Sequence, residues 1–278
     1  MTGLNPVNLP LAENVLRPSL SIRLARGADE IAAAQHLRYR VFYEECGAIA
    51  DAATRASGRD ADAYDAICDH LLVIDHDRGA AGLRLGDGFV VGTYRLLRQD
   101  MAEAHGGFYS AGEYDLAPLI ARHPALRFLE LGRSCVLKAY RTRPVMELLW
   151  QGIWDYVRAH GMDVMMGCAS FDGTDPQAHA ETLAFLAQHA AAPPDWQVRA
   201  LPGRYQAMGA GTVALDARSA LKRLPPLIKA YLRLGCYIGD GAVIDHQFNT
   251  VDVLIILPVA RIDPRYFAHF GAPMASPG

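Results

Sequence analysis

No stretch of this 278-residue sequence holds 18 consecutive apolar residues, the length that suggests a bilayer-spanning helix. The longest apolar run, VLIILPVA at 253–260, is far shorter. The opening segment MTGLNPVNLPLAENVLRPSL lacks the basic start and apolar core of a secretory leader, so a cytoplasmic protein is expected, at most peripheral to a membrane. The five cysteines are scattered, with no C-x-x-C and no zinc-like spacing, and read as reduced thiols. Ten histidines form no H-E-x-x-H cluster, so no metal site is expected. Positive charge is not in excess, the net being −3, which argues against a nucleic-acid partner. Internal repeats and low-complexity tracts are missing as well.

What remains is a chain able to bury a sizeable core without disulfides or metals. Residues 1–20 hold three prolines and no periodicity, and read as an irregular arm. Residues 21–270 are expected to form one α/β (α+β) domain. SIRLAR (21–26) alternates like a strand, and Asp29 is placed to cap a helix through Phe42 that Gly47 ends. Residues 48–63 read as an acidic loop. HLLVID (70–75) and FVVGTYRLL (89–97) suggest an antiparallel pair joined by a long glycine-rich loop. Residues 98–124 are turn-rich, with room for a short helix. LRFLELGRSCVL, a helix opening near Pro144 and stopping at Gly161, and DVMMGCASF (163–171) make a βαβ unit with a parallel strand pair. Helices over 176–189 and 224–235 and a strand at 251–257 follow.

The strand FLELGRSCV carries two opposite charges where apolar residues belong. On an ideal strand Glu130 and Arg133 point to opposite faces. Gly132 between them suggests a bulge, which bends a strand and resets its alternation. Both charges then face one cleft. The plainer alternative is a structural ion pair.

At this point the sequence resembles a known family. LRYRVFYEECGA (37–48), DADAYDAICDHLLVID (60–75), VVGTYRLLR (90–98), ELGRSCVLKAYR (130–141) and PPLIKAYLRLGCYIGDGAVIDHQFNTVDVLIIL (225–257) resemble, in order, the blocks of the ornithine acyl-carrier-protein N-acyltransferases of ornithine-lipid synthesis. More distantly, the early blocks resemble the acyl-homoserine-lactone synthases, which use S-adenosylmethionine. An R-x-x-x-F motif at Arg38 and Phe42, acidic Asp60, Asp62 and Asp65, then Arg95 and E-x-x-R at Glu130 and Arg133 carry that likeness. The tryptophan that follows the first motif in lactone synthases is missing from ECGAIA.

The resemblance implies a GNAT-like acyltransferase fold, with a mixed, mostly antiparallel sheet flanked by helices. It implies transfer of a 3-hydroxyacyl chain from acyl carrier protein to the α-amine of ornithine, giving lyso-ornithine lipid. No resident cofactor is implied; the acyl-phosphopantetheine arm is the donor substrate. Peripheral contact with the inner membrane would suit such a product. Glu130 is the candidate proton acceptor and Arg133 its partner. Arg38 or Arg95 suits the acceptor carboxylate. Asp62 and Asp65 suit its side-chain ammonium, with Asp245, His246 and Asp252 as the alternative. Tyr39, Phe42, Trp150 and Trp154 are candidates for an acyl tunnel, core packing being the simpler reading for each. GNAT proteins usually cradle coenzyme A pyrophosphate on an R/Q-x-x-G-x-G/A loop. Here the segment reads RTRPVM (141–146), without glycines and with Pro144, which has no N–H. Lys138, Arg141 and Arg143 beside it are candidates for docking an acidic carrier protein. Membrane lysis is an unsuitable function, since no strongly basic amphipathic helix is evident.

Overall fold

The computed structural model describes residues 19–77, 83–86, 88–209 and 216–263. The expected N-terminal arm lies almost wholly outside the described residues, as do residues 264–270. The chain runs β1 (Leu20–Leu24), α1 (Ala28–Tyr39), α2 (Ala52–Ser57), β2 (Asp69–Asp75), β3 (Leu83–Leu85), β4 (Gly88–Arg98), α3 (Gln99–Ala104), α4 (Ala117–Arg122) and β5 (Phe128–Val136). It continues through α5 (Arg143–His160), β6 (Val164–Asp172), α6 (Ala180–His189), β7 (Tyr205–Gln206), α7 (Ala217–Arg223), α8 (Pro226–Arg233), β8 (Tyr237–Ile238), β9 (Ala242–Asp245) and β10 (Thr250–Pro258).

One sheet orders its strands β1-β2-β4-β5-β6-β10-β9-β7, with β3 beside β4 and β8 beside β10. Only the β5–β6 pair is parallel; the other named pairs are antiparallel. The expected mixed, mostly antiparallel sheet of a GNAT-like fold is what forms. Alternation sets the core. Leu129, Met165, Val253 and Ile255 join one apolar cluster, while Phe128, Met166, Leu254 and Ile256 join the other. Neighbouring strand residues point to opposite faces, so these strands feed both layers.

The local chemistry explains most boundaries. α5 has Pro144 in its first turn and ends on Gly161, which holds φ +58 at the C-cap. The first helix differs from expectation. Its N-cap is Gly27, and Asp29 and Glu30 sit in the first turn, where acidic side chains suit the helix dipole. Past Tyr39 the winding loosens into a π-helical segment, Arg40–Glu45. The segment read as a loop holds α2, capped by Asp51, and a single 3-10 turn at Ala63–Ala66. In that turn Asp62 and Asp65 form a capping box, each accepting from the other end.

Two irregularities in mid-sheet position the site. Between the pairs Arg95↔Gly132 and Thr93↔Cys135, β4 contributes Tyr94 alone, while β5 contributes Arg133 and Ser134. That is a bulge on β5. The residue carrying the left-handed conformation is Arg133 (φ +48), not Gly132. The second irregularity is a parting of strands. The β5–β6 ladder runs from Phe128↔Val164 to Glu130↔Met166 and stops. At the parting, Gly167 comes so close to β5 that a Cβ there would lie 2.2 Å from the Leu131 carbonyl oxygen.

Candidate active site

The gap between β5 and β6 opens into a cavity of about 240 Å³. Its floor is β5 from Glu130 to Ser134, and one wall is β6 from Cys168 to Ser170. Leu227, at the start of α8, and Phe42 close over it. A narrower slot of about 30 Å³ continues between the strands toward Tyr94, Gly167 and Tyr231.

Glu130 and Arg133 both line the cavity, yet they do not pair with each other. Glu130 is 4% exposed. Its Oε2 accepts the Tyr109 amide at 2.8 Å and its Oε1 the Ser110 amide at 2.7 Å. Burial raises its pKa above the ordinary carboxyl value, against the opposing pull of those hydrogen bonds and of Arg95. Arg133 turns the other way. Its Nε lies 3.1 Å from Asp60 and its Nη2 3.2 Å from Asp62, and Nη2 donates to the Tyr109 hydroxyl at 3.3 Å. The guanidinium rests over the rings of Tyr109 and Phe248, 4.7 and 4.5 Å from their centroids. The expected Glu130–Arg133 pair is therefore corrected. The bulge swings Arg133 toward the acidic segment at 60–65, and the turn at Tyr109–Gly112 takes its place on Glu130.

That acidic segment serves three arginines. Arg38, 1% exposed, reaches Asp60 and Asp65, each at 2.8 Å. Arg95 reaches Asp62 at 2.6 Å and Asp65 at 3.2 Å. Burial opposes ionisation of Asp65, but the hydrogen bond and charge of Arg38 and the charge of Arg95 outweigh it, and its carboxyl falls below the usual range. Asp62 and Asp65 are thus already engaged by guanidinium groups. Among the three arginines, Arg95 and Arg133 border the cavity, whereas Arg38 is not part of its lining.

A second carboxylate group stands beside Glu130. Oxygens of Glu113, Asp245 and Asp252 lie within 4.8 Å of one another, and all three residues line the cavity. Glu113 follows the turn that Glu130 holds, so the two are mechanically linked. Its carboxyl is pushed up to about 7, by burial first and by the charge of Asp252 next. Asp252 interrupts the apolar run of β10 and is pushed up to about 6, chiefly by burial. Asp245 ends β9 and accepts the amides of Gln247 and Phe248, a turn cap that also faces the cavity. His246, in the turn after Asp245, is exposed and is not part of the lining. The sequence reading missed Glu113, which sits in a turn-rich segment with no motif to mark it.

Of the tunnel candidates, Phe42 lines the cavity. Trp154 is buried in the apolar core, Trp150 packs edge-on against Tyr231, and Tyr39 stacks on Tyr43. Cys135 is buried, and burial pushes its thiol up, away from nucleophile behaviour. Lys138, Arg141 and Arg143 are exposed at the mouth of α5. Arg141 pairs with Glu45 at 2.5 Å and Arg143 with Glu147 at 2.7 Å.

The model of the Acetyltransferase (GNAT) domain matches residues 37–151, which run from the first arginine motif into α5. The L-ornithine N(alpha)-acyltransferase of Agrobacterium fabrum is 53% identical over 254 residues, covering 91% of this chain and 85% of its own. That of Rhodobacter capsulatus is 43% identical, covering 89% of this chain and 93% of its own. The chain belongs to the L-ornithine N(alpha)-acyltransferase family. It is an acyltransferase of the GNAT type. Among solved structures, the N-acyl amino acid synthase FeeM from uncultured soil microbes superposes with a TM-score of 0.47 at 11% identity, covering 87% of this chain and 91% of that one. The AHL synthase LasI superposes with the same TM-score and identity, covering 93% of this chain and 98% of that one. Among the described residues of this family member, no helix is long and apolar enough to cross a membrane.

Proposed function

We propose that the protein transfers a 3-hydroxyacyl chain from the phosphopantetheine thioester of acyl carrier protein to the α-amine of L-ornithine, giving lyso-ornithine lipid. The observation that carries this reading is the single cavity that joins the β5–β6 gap to a set of buried carboxylates and two arginines. The gap is the path for an extended thioester arm. The carboxylates and arginines suit an amino acid with a second amine. The names of relatives at 43–53% identity support the acceptor.

In the proposed reaction the neutral α-amine attacks the thioester carbonyl carbon. The amine proton passes to Glu130, whose burial favours proton uptake. The C–S bond then breaks, and the proton goes on to the leaving thiolate. β5 amides beyond the end of the β6 ladder are the proposed donors to the oxyanion. Arg95 and Arg133 are the proposed partners of the acceptor carboxylate. No covalent enzyme intermediate is needed, consistent with the raised thiol pKa values of Cys135 and Cys168.

The carrier protein is favoured over coenzyme A because the glycine-free segment 141–146 offers no tight pyrophosphate cradle. Exposed Lys138, Arg141 and Arg143 fit an acidic carrier, and an amphiphilic product fits peripheral contact with the inner membrane. Thiol release on adding ornithine, measured with carrier-bound and coenzyme A-bound 3-hydroxyacyl groups, tests the donor. The carrier thioester should turn over much faster; equal or better turnover of the coenzyme A thioester overturns that part.

A further inference from the structure

We propose that Glu113, Asp245 and Asp252 form an ammonium subsite that selects an acceptor carrying a second, side-chain amine. This deepens the acceptor reading above and rests on it. The three residues come from separate elements: the segment after the Tyr109–Gly112 turn, the end of β9 and the interior of β10. They converge within 4.8 Å at the cavity wall.

An acidic cluster alone could be a solvated surface feature, but Glu113 and Asp252 in this one are buried, and the cluster is short of positive charge. Asp252 is 6% exposed, and its Oδ1 is buried without a hydrogen-bond partner. Glu113 is 4% exposed; one oxygen accepts the Cys168 thiol at 3.2 Å, and the other lies 3.4 Å from Arg204. The Arg204 side chain is itself 39% exposed. Fully ionised, the three carboxylates face that one half-solvated cation. Burial first, and the like charges beside them next, raise the values of Glu113 and Asp252. Arg95 and Arg133, which also border the cavity, are matched in charge by Asp60, Asp62 and Asp65 and so bring no net positive charge to this cluster. An incoming cation completes the site. A primary ammonium suits it, being compact, with three donors for three carboxylates.

The test compares ornithine with norvaline, the same amino acid without its side-chain amine. kcat/KM is measured for the wild type, Asp252→Asn and Glu113→Gln. The wild type should favour ornithine by roughly 10²-fold or more, because a buried polar subsite rejects an analogue that leaves it unfilled. Each variant should cut that ratio at least about tenfold, mainly through the KM for ornithine. Asp252→Asn removes a buried charge that has one oxygen without a partner and stands among like charges, so its Tm should hold or rise, which a merely structural role does not predict. An unchanged ratio in both folded variants overturns the subsite. So does loss of activity on both amino acids with a chelator and recovery with Mg²⁺ or Ca²⁺, which would assign the cluster to a metal ion. Equal use of ornithine and norvaline by the wild type overturns the subsite while leaving N-acyl transfer intact. Failure to acylate any amino acid overturns the acceptor reading itself.

Discussion

Glu130 has two duties, one structural and one proposed for catalysis. Its two oxygens hold the amides of Tyr109 and Ser110, which fixes the turn that carries Glu113. It is also the proposed proton acceptor. Glu130→Gln retains one acceptor oxygen and turns an N–H toward a backbone N–H, so some loss of position is expected along with loss of the base. The readout that separates them is the pH profile of kcat at saturating ornithine. A base with a raised pKa is active above that pKa and is lost as pH falls through it. In the wild type kcat should therefore decline on the acid side, and in Glu130→Gln that limb should vanish while the rate falls roughly 10²–10⁴-fold. Glu113 and Asp252 also titrate on the acid side, so the comparison is repeated with Glu113→Gln and Asp252→Asn; a limb that Glu130→Gln keeps and either of these removes assigns Glu130 to positioning.

At the scale of elements, the parting of β5 from β6 is what turns a sheet into a site. Gly167 marks where it begins, with φ +156 and the Leu131 carbonyl against its α-carbon. Gly167→Ala drives a methyl into that oxygen and must push the strands apart one pair early. A loss of about 1–3 kcal/mol or more is expected, read as a lower denaturation midpoint at unchanged m-value, with thioester turnover reduced. A variant of native stability would show that the close approach does not constrain the strands. Much of this architecture was legible in the sequence. β2, β4, β5, α5, β6 and β10 have strong periodicity and clear stops, and Gly132 marked the bulge. The left-handed residue proved to be Arg133, because its guanidinium is held by Asp60, Asp62 and Tyr109, contacts that no local pattern reveals. Helices α2 and α7 were not legible because six or seven residues show no clear periodicity, although Asp51 and Asp216 cap them locally. The two- to four-residue strands β7, β8 and β9 were not legible, since each takes its conformation from strand partners distant in sequence. Glu113 was hidden for the same reason. Its partner Asp252 lies at the far end of the chain, and only the sheet order brings them together.

On the scale of the whole molecule, charge is sorted rather than scattered. Arg38, Arg95 and Arg133 neutralise Asp60, Asp62 and Asp65 on one side of the cavity. Glu113, Asp245 and Asp252 stand nearly uncompensated on another, and the strand gap lies beside both. This layout fits a donor that enters as an extended arm and an acceptor that arrives as a zwitterion with an extra positive charge. The most direct measurement is mass spectrometry of the product formed by the purified protein from 3-hydroxyacyl carrier protein and an equimolar panel of ornithine, lysine, glutamine, glycine and S-adenosylmethionine. One dominant amide is expected, with the 3-hydroxyacyl group on the α-nitrogen of ornithine. An acyl-homoserine lactone with methylthioadenosine, or amides formed without regard to a second amine, would contradict it.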